Sequence, residues 1–375
     1  MERDLFVTGG HDPYEYLDLA SGHRLRRTAV QSLARGLENG ARTMDSDFIG
    51  LEPLEPRMLL SAGPFTFLDA DGDSYKVRLS GPGEVTVVQN DPDGDGRGGI
   101  TSLQLTGTTS RSSLKVTVKK SGGGDGIVQI GSITGGDLRM IHATKADLSG
   151  DGINLTGALG TLKMRDLTAG ADLIATSVRK MQVRQVGAGS QITLNGGLQR
   201  LQVKGDKSGV AGDFRGAIDA ANIGKVTIKG SLIGADIRAD NVIESIVAGT
   251  AVDSIVFVGI VDDKTTLPDH PNEFVNKSGR IGTFKLKGGS EFWIDNTHVA
   301  AWNIGRYQVG FANPNNDDAG DYGAAMGKLG YYSYRDASGL KKTKNPRPEG
   351  VGKPFKKSEP PVHVGDFSLR FFDVG

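Results

Sequence analysis

The chain has no cysteine in its 375 residues. Disulfide staples, thiolate metal sites and a cysteine nucleophile are therefore excluded. Aromatic residues make up only 6%, so aliphatic side chains must fill most of any interior. No apolar run reaches the ~18 residues that a membrane-spanning helix needs. No basic start leads into the apolar stretch that marks a conventional secretory signal peptide. Lys and Arg number 44 against 44 Asp and Glu, so the net charge is zero. A general nucleic-acid or membrane-surface binder would carry a basic excess, and neither partner is expected, although a neutral chain can still hold a local basic face. The six histidines include no pair at i, i+4, which leaves zinc without support.

What is abundant is glycine, at 55 residues, together with one returning pattern. It reads Leu138-Arg-Met-Ile141-His-Ala143, Leu159-Gly-Thr-Leu162-Lys-Met164, Val178-Arg-Lys-Met181-Gln-Val183 and Leu198-Gln-Arg-Leu201-Gln-Val203. It continues as Ile223-Gly-Lys-Val226-Thr-Ile228, Ile243-Glu-Ser-Ile246-Val-Ala248, Ile281-Gly-Thr-Phe284-Lys-Leu286 and Val299-Ala-Ala-Trp302-Asn-Ile304. Successive copies begin 18 to 25 residues apart, except for one gap of 38 between Ile243 and Ile281. A repeat of about 20 residues built on alternation is the mark of a β-solenoid. The expected fold is all-β: a right-handed parallel β-helix that stacks Leu162, Met181, Leu201, Val226, Ile246 and Phe284 in one core column.

A second element recurs in each coil, as in Gly170-Ala-Asp-Leu173, Gly189-Ser-Gln-Ile192, Gly212-Asp-Phe214, Gly234-Ala-Asp-Ile237 and Gly289-Ser-Glu-Phe292. The glycine before each is expected to turn a corner in a conformation that other residues resist. The long gap holds an insertion around Asp262–Asn272 that is expected to loop away from the stack.

Four segments follow from this reading. Residues 1–62 form a leader with an Arg-rich stretch, expected to lack fixed structure, and Met44 is an alternative start. Residues 63–125 alternate as strands between Gly- and Asp-rich turns and are expected to form an antiparallel β cap on the first coil. Residues 126–305 are the solenoid. Residues 306–375 are expected to be an irregular tail, with Phe367–Phe372 as a capping strand.

Leu54-Glu-Pro-Arg-Met-Leu-Leu-Ser-Ala62 resembles the N-terminal motif of the LEPR-XLL family of large exported bacterial proteins. Leu54, Glu55, Pro56, Arg57, Leu59 and Leu60 carry the match. The resemblance implies export or sorting to the cell surface. In that family the motif sits close to the start, whereas here it lies more than fifty residues in.

Three sets of residues are candidates for chemistry. Asp91, Asp93 and Asp95 with Gly96 match the first ligand positions of an EF-hand loop and suggest a weak Ca²⁺ site, although Ser102 stands where the bidentate Glu would be. Asp69, Asp71 and Asp73 depart further, with Ser74 at the glycine position. If the repeat's core residues point inward, the residue after each third core position forms a basic column of Arg165, Arg184, Lys204, Lys229 and Lys287, interrupted by Gly249. Like charges at strand spacing repel unless counter-charged, so an acidic polysaccharide is a natural partner. Trp293-Ile-Asp295, with His298 nearby, is similar to a Trp-Ile-Asp-His motif of pectate lyases, but Asn296 takes the histidine's place. No catalytic residues are therefore assigned. The expected function is that of an exported structural or adhesive rod of the cell surface or matrix, without a cofactor beyond that weak Ca²⁺. An acidic-polysaccharide-binding module is the first alternative, and a polysaccharide lyase or hydrolase the second.

Overall fold

The computed structural model describes residues 58–61, 64–289, 291–316, 320–346 and 363–372. The Arg-rich leader, Met44 and Leu54 to Arg57 lie outside these residues. The chain is a β-solenoid of about 10 turns whose stacked parallel coils average about 23 residues. Each coil cannot bury its own apolar side chains, so each places them over those of the coil below.

Three faces make up a coil. The first carries the repeat, and its register is unbroken: Leu114, Ile141, Leu162, Met181, Leu201, Val226, Ile246, Phe284, Tyr307 and Tyr332 pair in succession. The third face aligns Ile153, Leu173, Ile192, Ile218, Ile237, Val256 and Val299. Between them runs a narrow second face of Leu148, Leu167, Val186, Phe214, Leu232, Ala251, Ile294 and Ala312. Phe214 therefore belongs to the second face, and Ile218 takes the third-face position in its coil. At the corner between these two faces Gly170, Gly189 and Gly234 adopt φ of +74°, +74° and +57°, the left-handed region that a Cβ disfavours, whereas Gly212, at φ +84°, precedes Phe214 and turns the corner between the first and second faces.

Several expectations change at the ends. The strands Ile100–Thr106 and Ser113–Lys119 pair antiparallel with Glu84–Gln89 and Ser74–Ser80 on one side, and parallel with Val128–Gly135 and Leu138–Leu155 on the other. The cap thus merges into the first coil instead of resting on it. Met58–Ser61, which holds Leu59 and Leu60 of the motif, runs antiparallel to Glu84–Gln89, so part of the leader is a strand of the cap.

The described residues after 305 are not an irregular tail. Asn303–Gly310 and Lys328–Asp336 continue the first face, and Tyr322–Met326 and Phe367–Phe371 continue the third. The true last copies are Ile304-Gly-Arg-Tyr307-Gln-Val309 and Leu329-Gly-Tyr-Tyr332-Ser-Tyr334. Val299 lies on the third face, so the copy that began there was out of register. Tyrosine at the core positions hides these repeats, since a hydroxylated aromatic breaks an aliphatic pattern. Gly339–Lys344 then turns back antiparallel on the last first-face strand and ends the stack.

The insertion folds onto the rod instead of away from it. Leu267 and Phe274 form a second core with Phe257, Ile260, Ala300, Trp302 and Ala325 outside the third face. The ring of Phe274 meets Trp302 edge-on at 5.3 Å. Arg370 of the final strand reaches Asp269 of the insertion at 2.6 Å and Asp321 at 3.1 Å.

Two consequences are measurable. Tyr307 stacks on Phe284 at 5.5 Å, and its buried hydroxyl has no hydrogen-bond partner. Tyr307→Phe should therefore preserve stability or raise it by up to ~1 kcal/mol in chemical denaturation, because an unsatisfied buried group is removed. A loss above that size would show that the hydroxyl is paired in solution.

His298 is buried with its Nδ1 unpartnered, and burial together with the Arg370 charge lowers its pKa to about 4. Its folded value lies below the unfolded ~6.5, so its contribution is complete above that pH and falls away as pH drops toward 4. Across that window the wild type should lose up to ~3 kcal/mol that a His298→Gln variant does not. Parallel pH–stability curves for the two proteins would remove histidine from this role.

Candidate functional site

The predicted basic column exists as a stack at the corner between the first and second faces. The amide of Arg184 donates to the Arg165 carbonyl, that of Lys204 to Val183, that of Lys229 to Val203 and that of Lys287 to Ala248. Its five side chains are not equivalent. Arg165 forms an ion pair with Asp147 and lies 3.7 Å from Asp166. Arg184 is paired with Asp166 and lies 2.8 Å from Asp206. Asp147 and Asp166 are only 6% and 3% exposed, so this is a partly buried ladder of alternating charge that ties successive coils together.

Burial raises the Asp147 pKa and the Arg165 guanidinium works against that shift. Hydrogen bonds that Arg184 donates to Asp166 hold the Arg184 pKa above its usual range, while Ser208 and Arg184 hold that of Asp206 below its own. Two members of the column are thus counter-charged inside the chain. Lys204, Lys229 and Lys287 are exposed and make no ion pair among the described residues.

A more continuous basic surface covers the outside of the first face. One row aligns Lys115, His142, Lys163, Gln182, Gln202, Thr227, Val247, Lys285 and Gln308. Two residues away, another runs from Ser113 through Met140 and Thr161 to Lys180, then Arg200, Lys225, Ser245, Thr283, Arg306 and Tyr331. Neither row contains a carboxylate, and none of its Lys or Arg makes an ion pair among the described residues. Burial, then the charges of Lys163 and Lys115, lowers the His142 pKa, as a cationic surface should.

Beside these rows, at the corner between the third and first faces, two shallow depressions meet at Gly197 and Gln199. Together they make a groove along the axis from Arg139 and Arg179 to Glu244, with Gly160 and Gly224 leaving its floor open. The sequence signal was present in the glycine that often follows the first core position and in the cations between the core residues.

The remaining candidates fall into place singly. Asp91, Asp93 and Asp95 do converge, with carboxylate oxygens within 4.8 Å of one another. Asp91 accepts from Gly96 N at 3.0 Å, and Asp95 faces Arg97 at 3.8 Å. Trp293 packs 5.9 Å from Phe311, Ile294 fills the second face, and Asp295 accepts a hydrogen bond from Asn313 at 3.0 Å. His298 is buried at the start of a third-face strand, so this stretch is used for packing. No protein-family model, curated protein or solved structure matches the chain.

The charge ladder and the free lysines predict opposite responses. Arg184→Ala strands Asp166 in a buried site and should cost ~2–3 kcal/mol in denaturant titration. Lys229→Ala should cost under ~0.5 kcal/mol. Equal losses would contradict the assignment of the ladder to stability.

Proposed function

We propose that the protein is an exported, non-catalytic rod of the bacterial cell surface or matrix that adheres along an acidic polysaccharide. The observation that carries this reading is the pair of first-face rows whose charged residues are all cationic. Parallel coils repeat every ~4.8 Å, so the cations of a row stand at regular intervals along the axis. A rigid row of cations therefore meets a polyanion with little ordering cost, and its attraction is weakened by salt. The groove from Arg139 to Glu244 offers such a chain a shallow bed next to the rows. Export rests on the likeness of Leu54–Ala62 to the LEPR-XLL motif. The adhesive site shifts from the corner column to the first face because Arg165 and Arg184 already have carboxylate partners.

The test is binding to a panel of uronic-acid and sulfated polymers at low and high salt. Lys180→Glu with Lys225→Glu should abolish a salt-sensitive interaction, while Lys204→Glu with Lys229→Glu should weaken it less. Binding should also raise the His142 pKa, read by NMR, as the polyanion offsets Lys163 and Lys115. Absence of binding at low salt would refute the adhesive reading, and new unsaturated or reducing ends in the polymer would replace it with a lyase or hydrolase.

A further inference from the structure

The acidic turn at Asp69–Asp73 differs from every other carboxylate cluster among the described residues. Asp69, Asp71 and Asp73 bring carboxylate oxygens within 4.8 Å of one another. Asp73 is fully buried and Asp69 is 5% exposed. Elsewhere the chain neutralises buried aspartates with arginine, as Arg165 and Arg184 do for Asp147 and Asp166. Among the described residues no Lys or Arg pairs with any of these three.

Backbone amides hold the carboxylates from one side. Asp69 Oδ1 accepts from Asp73 N at 2.7 Å, and Asp73 Oδ1 accepts from Ser121 N at 2.6 Å. Asp73 Oδ2 accepts from Gly126 N, and Asp71 Oδ2 from Asp125 N at 2.8 Å. The 121–126 loop closes tightly on the turn, and a Cβ on Gly124 would collide with the Asp73 carboxylate. What remains is Asp69 Oδ2, buried and without a hydrogen-bond partner. Burial, with Asp71 beside it, pushes the Asp69 pKa up to about 7, so this carboxylate is poorly compensated by protein groups alone.

We propose that Asp69, Asp71 and Asp73 bind one Ca²⁺ ion, which locks the 121–126 loop and the antiparallel cap onto the first coil. The amides orient the carboxylates, and the ion takes lone pairs that they leave free, those of Asp69 Oδ2 first among them. Carboxylates on an irregular loop suit Ca²⁺, which accepts six to eight oxygens in flexible geometry and completes its shell with carbonyls and water, better than Mg²⁺, which demands a strict octahedron. The Asp91–Asp95 loop is the weaker site because it is more exposed and Asp95 already faces Arg97. The turn fails the EF-hand pattern because its enclosure comes from a loop some fifty residues away, as the Asp71–Asp125 and Asp73–Ser121 hydrogen bonds show.

The experiment is calorimetric titration of the full chain, stripped with chelator, with Ca²⁺ and with Mg²⁺. Thermal melts and amide exchange with and without Ca²⁺ accompany it. One Ca²⁺ should bind with a dissociation constant of roughly 10⁻³ M or tighter. It should raise the melting temperature by several degrees and slow exchange at residues 121–126. Asp69→Asn keeps the acceptor for Asp73 N and should weaken binding at least ~10-fold, whereas Asp91→Asn should leave it unchanged. No Ca²⁺-dependent heat, melting shift or protection in the wild type would overturn the proposal. So would binding lost in Asp91→Asn but kept in Asp69→Asn, or equal affinity for Mg²⁺.

Discussion

Parallel in-register stacking is the constraint on which the rest depends. Every coil satisfies its backbone by hydrogen-bonding to the coil above and below, so a residue's neighbours are set by its place in the repeat. Apolar positions fall on apolar positions, from Leu114 to Tyr332, and form a core no coil could make alone. Charged positions obey the same rule, and like charges would pile up without a remedy. The chain uses two. At one corner it interleaves Asp147, Asp166 and Asp206 with Arg165 and Arg184. On the open first face it spaces the cations with Gln, Thr and Ser and leaves them to solvent or a ligand.

The core of the first face was legible because its alternation is long and aliphatic, and the columns through Leu162 and Met181 are those expected. The second face was not, because most of its coils contribute a two-residue strand, such as Gln185–Val186 or Leu232–Ile233, or a single bridge such as Phe214, too short to show a period. The last coils were hidden by Tyr307 and Tyr332, whose rings fill core positions. The insertion misled for another reason: Leu267 and Phe274 are far apart in sequence and reveal an apolar face only once the loop is laid over Trp302.

The charged sites show the same divide. The corner column was readable as a stack, but the partners of Arg165 and Arg184 were not, since Asp147 and Asp166 precede each arginine by 18 residues. The Asp69–Asp73 turn looked deficient when compared with a contiguous loop, since its closing segment comes from residues 121–126. Local spacing can expose a motif only when the partner is also local.

Among the described residues, both ends of the stack carry strands that are poor templates for pairing. At the final coil, Gly339–Lys344 runs backward and presents Lys341, Lys342 and Lys344 along its edge, the kind of strand that discourages another chain from pairing. At the other end the outermost strands among the described residues, Met58–Ser61 and Phe65–Leu68, are four residues each, a poor template for extension. Distance along the axis is written in the gene as a whole number of coils, and adding or deleting one repeat would move whatever lies beyond it by a fixed step of about 4.8 Å.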